Sequence, residues 1–85
     1  MQQFTYCIKD PLGIHARPAG LLVKEVQGYG SKVEIIKDDK TVDASKIMAV
    51  MSLGIKCGHT ITLKVNGESE ETEAKKLLEF FQTTL

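Results

Sequence analysis

Apolar and polar residues alternate at the start of the chain. Phe4, Tyr6 and Ile8 fall on one side of an extended segment and Thr5 and Cys7 on the other, which predicts a first strand. Asp10-Pro11-Leu12-Gly13 predicts a turn, because proline presets one backbone dihedral and glycine accepts the conformation that other residues avoid. The period then changes. Ala19, Leu22, Val23 and Val26 recur at i, i+3, i+4 and i+7, one apolar stripe of a helix. Pro18 stands near its front and Gly28 just past its end, the usual asymmetry of helix termini.

Val33 and Ile35 alternate in SKVEIIK, and Asp38-Asp39 separates that run from KTVD, so a hairpin is expected. Ile47, Met48, Val50 and Met51 make a short apolar segment that Gly54 stops, with room for a helix of two turns at most. TITLKVN alternates at Ile61, Leu63 and Val65 and is closed by Asn66-Gly67. A last helix opens near Ser69, with Glu70, Glu71 and Glu73 where the helix dipole favours acids. Ala74, Leu77, Leu78 and Phe81 supply its apolar face, and Glu71 with Lys75 stands at i, i+4 for an ion pair. The order is βαββαβα. Three helices on one face of a four-stranded antiparallel sheet would bury these stripes and leave the other face wet, an α+β fold.

Length and composition restrict what such a fold can do. The 85 residues make a single domain, 1–85, with an ordinary 42% of apolar residues. At this size folding buries only about 60 to 65% of the unfolded chain's surface, so a deep catalytic cleft would consume the core. Any chemistry is therefore expected at an exposed site. Eleven basic residues against eleven acidic ones give no surplus for holding nucleic acid. No apolar run is long enough for a membrane span, and MQQFTYCIKD lacks a signal-peptide core. Cys7 and Cys57 stand far apart without a CxxC, so reduced thiols in a cytoplasmic protein are expected. His59 has no further ligands at metal-binding spacing and reads as a plain surface histidine, and no cofactor motif is visible.

The stretch LGIHARPAG carries the chemistry. It holds one of two histidines and the only arginine, His15 and Arg17, at the mouth of the first helix. Serine or aspartate usually stands there, because a side-chain oxygen accepts one of the unpaired backbone N–H groups. Histidine caps poorly. A phosphoryl group carried on its ring would supply the missing anion, with oxygens accepting from the helix-start N–H groups and from the Arg17 guanidinium. The small Ala16, Ala19 and Gly20 leave room for a partner to approach. Spacing alone leaves a solvated surface histidine as the alternative.

GIHARPA closely resembles the active-site signature of HPr, the histidine phosphocarrier family of the phosphoenolpyruvate:sugar phosphotransferase system. A second matching segment, KTVDASKIMAVMSLGI, extends the resemblance over essentially the whole chain. The resemblance implies an open-faced β-sandwich and no cofactor. It implies that His15 receives a phosphoryl group on Nδ1 from phosphorylated enzyme I and passes it to the A domains of enzymes II. Ala16, Arg17 and Pro18 would then hold and shape the phosphate. Partners of the family dock over the first two helices, which here implies a surface of Ala16, Gly20, Lys24, Ile47, Met48, Met51 and Gly54. Core packing is the alternative for the short apolar helix. Val50 is expected inward and Ile47 and Met48 at the rim, with Met51 open to either. A carrier showing one face to successive partners is expected to be monomeric, and to be a substrate of phosphotransferases rather than an enzyme.

Two departures from the family's pattern bear on partners. Many relatives carry a regulatory serine where this chain has Lys46, and Ser45 lies one place early, which argues against HPr kinase as a partner. Ser45 is either a phosphorylation site beside the docking face or the cap of the short helix. Gln27 and Ala49 occupy places where relatives often have lysines, leaving Lys24 and Lys46 as cations for steering acidic partners. A regulatory HPr-like module that docks without feeding sugar transport is the second functional reading.

Overall fold

The computed structural model describes residues 1–85. Its elements are β1 (Gln2–Cys7), α1 (Ala16–Gln27), β2 (Lys32–Lys37), β3 (Lys40–Asp43), α2 (Ile47–Ser52), β4 (Thr60–Asn66) and α3 (Glu70–Thr84). The four strands form one antiparallel sheet in the order β1-β4-β2-β3. The clearest alternation in the sequence becomes a central strand: β4 pairs with β1 on one side and β2 on the other, and Ile61, Leu63 and Val65 are buried. Lys37 and Lys40 close the β2–β3 hairpin around Asp38-Asp39, with Asp38 at φ 55°. That positive φ suits a two-residue hairpin turn, and Asp tolerates it better than most residues.

The helices cover one sheet face. Ala19, Leu22, Val23 and Val26 of α1 are buried as their spacing predicts, and so are Leu77 and Phe81 of α3. Ala74 and Leu78 are only half-buried at the edge of that stripe. Phe81 anchors α3 through edge and tilted contacts with Phe4, Tyr6 and Phe80, at ring centroid distances of 5.4 to 6.3 Å. Ile8, beyond the last residue of β1, stays in the core because its N–H and C=O pair with His59 and Gly58.

Glu73 stands in the first turn of α3 as expected and has a second role. It is 9% exposed, and its carboxylate accepts from the backbone N–H of Gly30 at 2.8 Å and of Ser31 at 2.9 Å. Besides complementing the helix dipole, the acid ties α3 to the segment entering β2. The Ser31 hydroxyl, which lies near the carboxylate without a hydrogen bond of good geometry, and the two amides hold Glu73 below the ordinary carboxylate range; burial opposes them. Its contribution is therefore present above the unfolded-state value and fades as pH falls through the lower folded-state value. Glu73→Gln, which leaves one amide facing an NH₂ donor, is expected to cost about 2 kcal/mol at neutral pH. Urea unfolding at neutral and acidic pH checks this: the gap should shrink in acid, and a pH-independent gap would show that the charge is not what matters. The expected Glu71–Lys75 ion pair is not formed; both side chains are exposed, where such a pair gains little against side-chain entropy.

The short helix α2 is pinned at both ends by neighbours. Lys46, not Ser45, holds its N-cap position, so the capping role considered for Ser45 is overturned. The Ser45 N–H and hydroxyl instead both donate to Asp43 Oδ1, at 2.9 and 2.6 Å. Gln27 Nε2 donates to the Ser45 carbonyl at 3.0 Å, fixing the end of α1 to the start of α2. At the far end Lys37 Nζ donates to the Leu53 carbonyl at 3.1 Å. A helix of six residues gains little from propensity and depends on such contacts.

Candidate functional site

The loop leading into α1 is built before its histidine is. Lys9 and Asp10 donate their N–H groups to the Leu85 oxygen at 2.7 and 2.9 Å, tying the loop to the end of α3. Asp10 then closes a turn twice, its carbonyl accepting from Gly13 N–H at 2.9 Å and its Oδ1 from Leu12 N–H at 2.9 Å. Gly13 lies at φ 70°, and Ile14 N–H donates to the Ile55 carbonyl at 3.0 Å, so the loop also leans on the chain after α2. The turn expected from sequence is present, and the structure adds the two clamps.

His15 follows as the N-cap of α1, with extended backbone (φ −96°, ψ −173°) and no side-chain cap bond. Its carbonyl accepts from Ala19 N–H at 2.9 Å, the first bond of the helix. The Ala16 and Arg17 N–H groups find no acceptor in the protein, and Pro18 has none to offer. Two unpaired donors thus face outward beside an imidazole that is 37% exposed. Arg17, exposed in the first turn, makes no ion pair and leaves its guanidinium available. Pro18 is buried and acts by packing and by its fixed φ rather than as a donor.

A shallow recess joins His15, Arg17 and Pro18 to residues that sequence reasoning did not single out. Asp10 reaches within 3.9 Å of His15 Nε2 through Oδ1, longer than a hydrogen bond. Leu21 lines the same recess and is 44% exposed. It stands off the apolar stripe of α1, which was the only signal of it in the sequence. Thr83 and Thr84 arrive from the end of α3, and nothing local to the histidine motif predicts them.

Ala16, Gly20 and Lys24 lie on successive turns of α1, none of them buried. Ile47 Cδ1 sits 3.8 Å from where a Cβ on Gly20 would stand, an ordinary contact, so the glycine brings α2 close without being sterically required. Ile47 and Met51 are partly exposed and Met48 is 76% exposed, whereas Val50 is buried. Met51, open to either role on sequence, therefore faces solvent; Gly54 is exposed just beyond. Leu12, in the turn closed by Asp10, is also exposed.

No three His, Cys, Asp or Glu side chains converge as metal ligands, and Cys7 and Cys57 are free and exposed. His59, read as a plain surface residue, has a structural part: its Nδ1 accepts from Lys56 N–H at 3.0 Å and its carbonyl from Ile8 N–H at 2.9 Å. No helix is long and apolar enough to cross a membrane.

Residues 2–83 match the profile of the family described as the PTS HPr component phosphorylation site. The phosphocarrier protein HPr of Lysinibacillus sphaericus is 44% identical over 70 residues, covering 82% of this chain and 77% of that protein. The crystal structure of HPr from Thermoanaerobacter tengcongensis superposes with a TM-score of 0.93 at 37% identity, over 99% of this chain and 94% of that one. Crh of Bacillus subtilis, described as a dimer with a swapped domain, gives a TM-score of 0.78 at 36% identity, over 100% and 98%.

Proposed function

The chain belongs to the HPr family, and from that premise we propose that it is a phosphocarrier whose His15 takes a phosphoryl group from phosphorylated enzyme I and hands it to the A domains of enzymes II. The observation that carries this reading is the uncapped helix start: an exposed imidazole beside two unpaired N–H groups and an unpaired guanidinium. The lone pair of Nδ1 attacks phosphorus, the donor's P–N bond breaks as the new one forms, and the ring keeps its proton on Nε2. The N–H groups of Ala16 and Arg17 and the Arg17 side chain then hold the phosphoryl oxygens with charge-assisted bonds. The chain is a substrate and product of phosphotransferases, and a relay between soluble domains belongs to the cytoplasm.

The partner face in this reading runs from Ala16, Gly20 and Lys24 over Ile47, Met48 and Met51 to Gly54, with Leu21 added at its rim. Its exposed methionines adapt to several partners. A monomer presents that face freely; the dimers described for Crh and for an HPr of Thermoanaerobacter tengcongensis are properties of those proteins. Phosphorylation of Ser45 by HPr kinase is not part of the reading, since its hydroxyl is held by Asp43 and a phosphate would stand against that carboxylate. The similarity to Crh supports the second reading, a regulatory module that docks without feeding sugar transport.

Incubation with enzyme I, magnesium and labelled phosphoenolpyruvate tests the proposal. Acid-labile, alkali-stable label on the protein is expected, and an unlabelled protein with a competent enzyme I would favour the docking module. Arg17→Ala, which removes charge-assisted bonds worth about 1.5 to 3 kcal/mol, should slow acceptance about 10- to 100-fold without altering stability. Rates within twofold of wild type would remove Arg17 from the phosphate site.

A further inference from the structure

The recess around His15 holds one acid, and the phosphocarrier reading gives it no task. Asp10 Oδ1 stands 3.9 Å from His15 Nε2. Its placement is fixed several times over: its own N–H and that of Lys9 donate to the Leu85 oxygen, its carbonyl accepts from Gly13, and Oδ1 accepts from Leu12 N–H. A carboxylate has lone pairs to spare after that one bond. Hydrogen bonds in unliganded active sites are often long and tighten only as the reaction proceeds.

We propose that Asp10 is a positioning residue for His15, holding the proton on Nε2 so that Nδ1 is the nitrogen that takes and releases the phosphoryl group. The proposal rests on the phosphocarrier reading and adds to it a residue outside the histidine motif. In acceptance, the Nδ1 lone pair forms the P–N bond while the donor ring leaves, and the acceptor ring becomes cationic with its proton on Nε2. In release, the P–Nδ1 bond breaks and its electron pair returns to Nδ1. With a proton on Nε2 the ring leaves as neutral imidazole; without it the leaving group is an imidazolate anion, a far poorer one. A carboxylate facing Nε2 stabilises the protonated ring in both directions, as a buried aspartate does for the imidazolium of a catalytic triad. The other charged group in the recess is Arg17, from α1, whose guanidinium pairs with the phosphoryl oxygens, while α3 brings only the Thr83 and Thr84 hydroxyls.

Asp10→Asn separates this role from the structural one, because its amide oxygen still accepts from Leu12 N–H while the charge is gone. Asp10→Ser, whose hydroxyl also accepts locally, is the second neutral variant. Wild type and both variants are phosphorylated chemically with phosphoramidate and, separately, by enzyme I with phosphoenolpyruvate. Phosphate loss is then followed from roughly pH 5 to 9, the range in which imidazole protonation matters. Phosphate loss at neutral pH should be about threefold slower in both variants, with unchanged melting temperature. Acceptance from enzyme I should slow in parallel. Coincident pH profiles in wild type and both variants overturn the assignment of Asp10 and leave the phosphocarrier reading standing. Failure of enzyme I to label wild-type His15 overturns that reading instead, and the chemically phosphorylated protein still reports on Asp10.

Discussion

His15→Ala is expected to lose phosphoryl acceptance entirely, with label at background, and to fold as stably as the natural chain. The side chain is not a cap: it makes no bond to the first turn, and its nearest charged partner is 3.9 Å away. Removing it therefore takes no capping bond from the helix. His15→Ser sharpens the point. Pro18 at the third helical position has no N–H, so a serine oxygen would accept from Arg17 N–H and stabilise the protein by about 1 kcal/mol. A variant that is more stable and inactive would show that position 15 trades a helix cap for chemistry. Thermal unfolding and the labelling assay measure the two sides. Label surviving in His15→Ala would move the acceptor to another residue; a serine variant less stable than wild type would mean that the imidazole supports the fold.

The largest effect on the fold is expected from Gly13→Ala. Gly13 sits at φ 70°, where a side chain is strained, and an added Cβ would overlap the Ile55 carbonyl oxygen and stand 2.5 Å from Lys56 Cα. These neighbours are backbone and cannot turn aside. The same carbonyl accepts from Ile14 N–H, so displacing it also removes the bond that seats the loop. Strain, overlap and the lost bond together are expected to cost about 4 kcal/mol. In a domain of this size that lowers the melting temperature by about 15 to 30 °C. Because His15 lies two residues on, phosphoryl acceptance should fall even where the variant remains folded. A melting temperature within a few degrees of wild type would show that the loop can move aside.

The two expectations differ in how far a sequence reader could have reached them. Asp10-Pro11-Leu12-Gly13 marks a turn by residue type, since φ preferences belong to the residues themselves. What Gly13 packs against belongs to Ile55 and Lys56, far along the chain. Glu73 shows the same limit. Its place in the first turn of α3 suits the helix dipole, but its bonds to Gly30 and Ser31 arise only once α3 lies beside the entry to β2. Ser45 was open between cap and phosphosite because its bond to Asp43 depends on where the β2–β3 hairpin ends.

The order of elements, the apolar faces of α1, β4 and α3, and the pairing of a histidine with an arginine at a helix start were legible from sequence. They rest on side-chain period, backbone preference and residues within one turn of each other. Only the tertiary structure decided that Met48 and Met51 face solvent, that Leu21, Thr83 and Thr84 share the recess, and that Asp10 stands opposite His15 Nε2. Those relations are distances between segments, and a linear pattern carries no information about the gap between two chains until packing closes it.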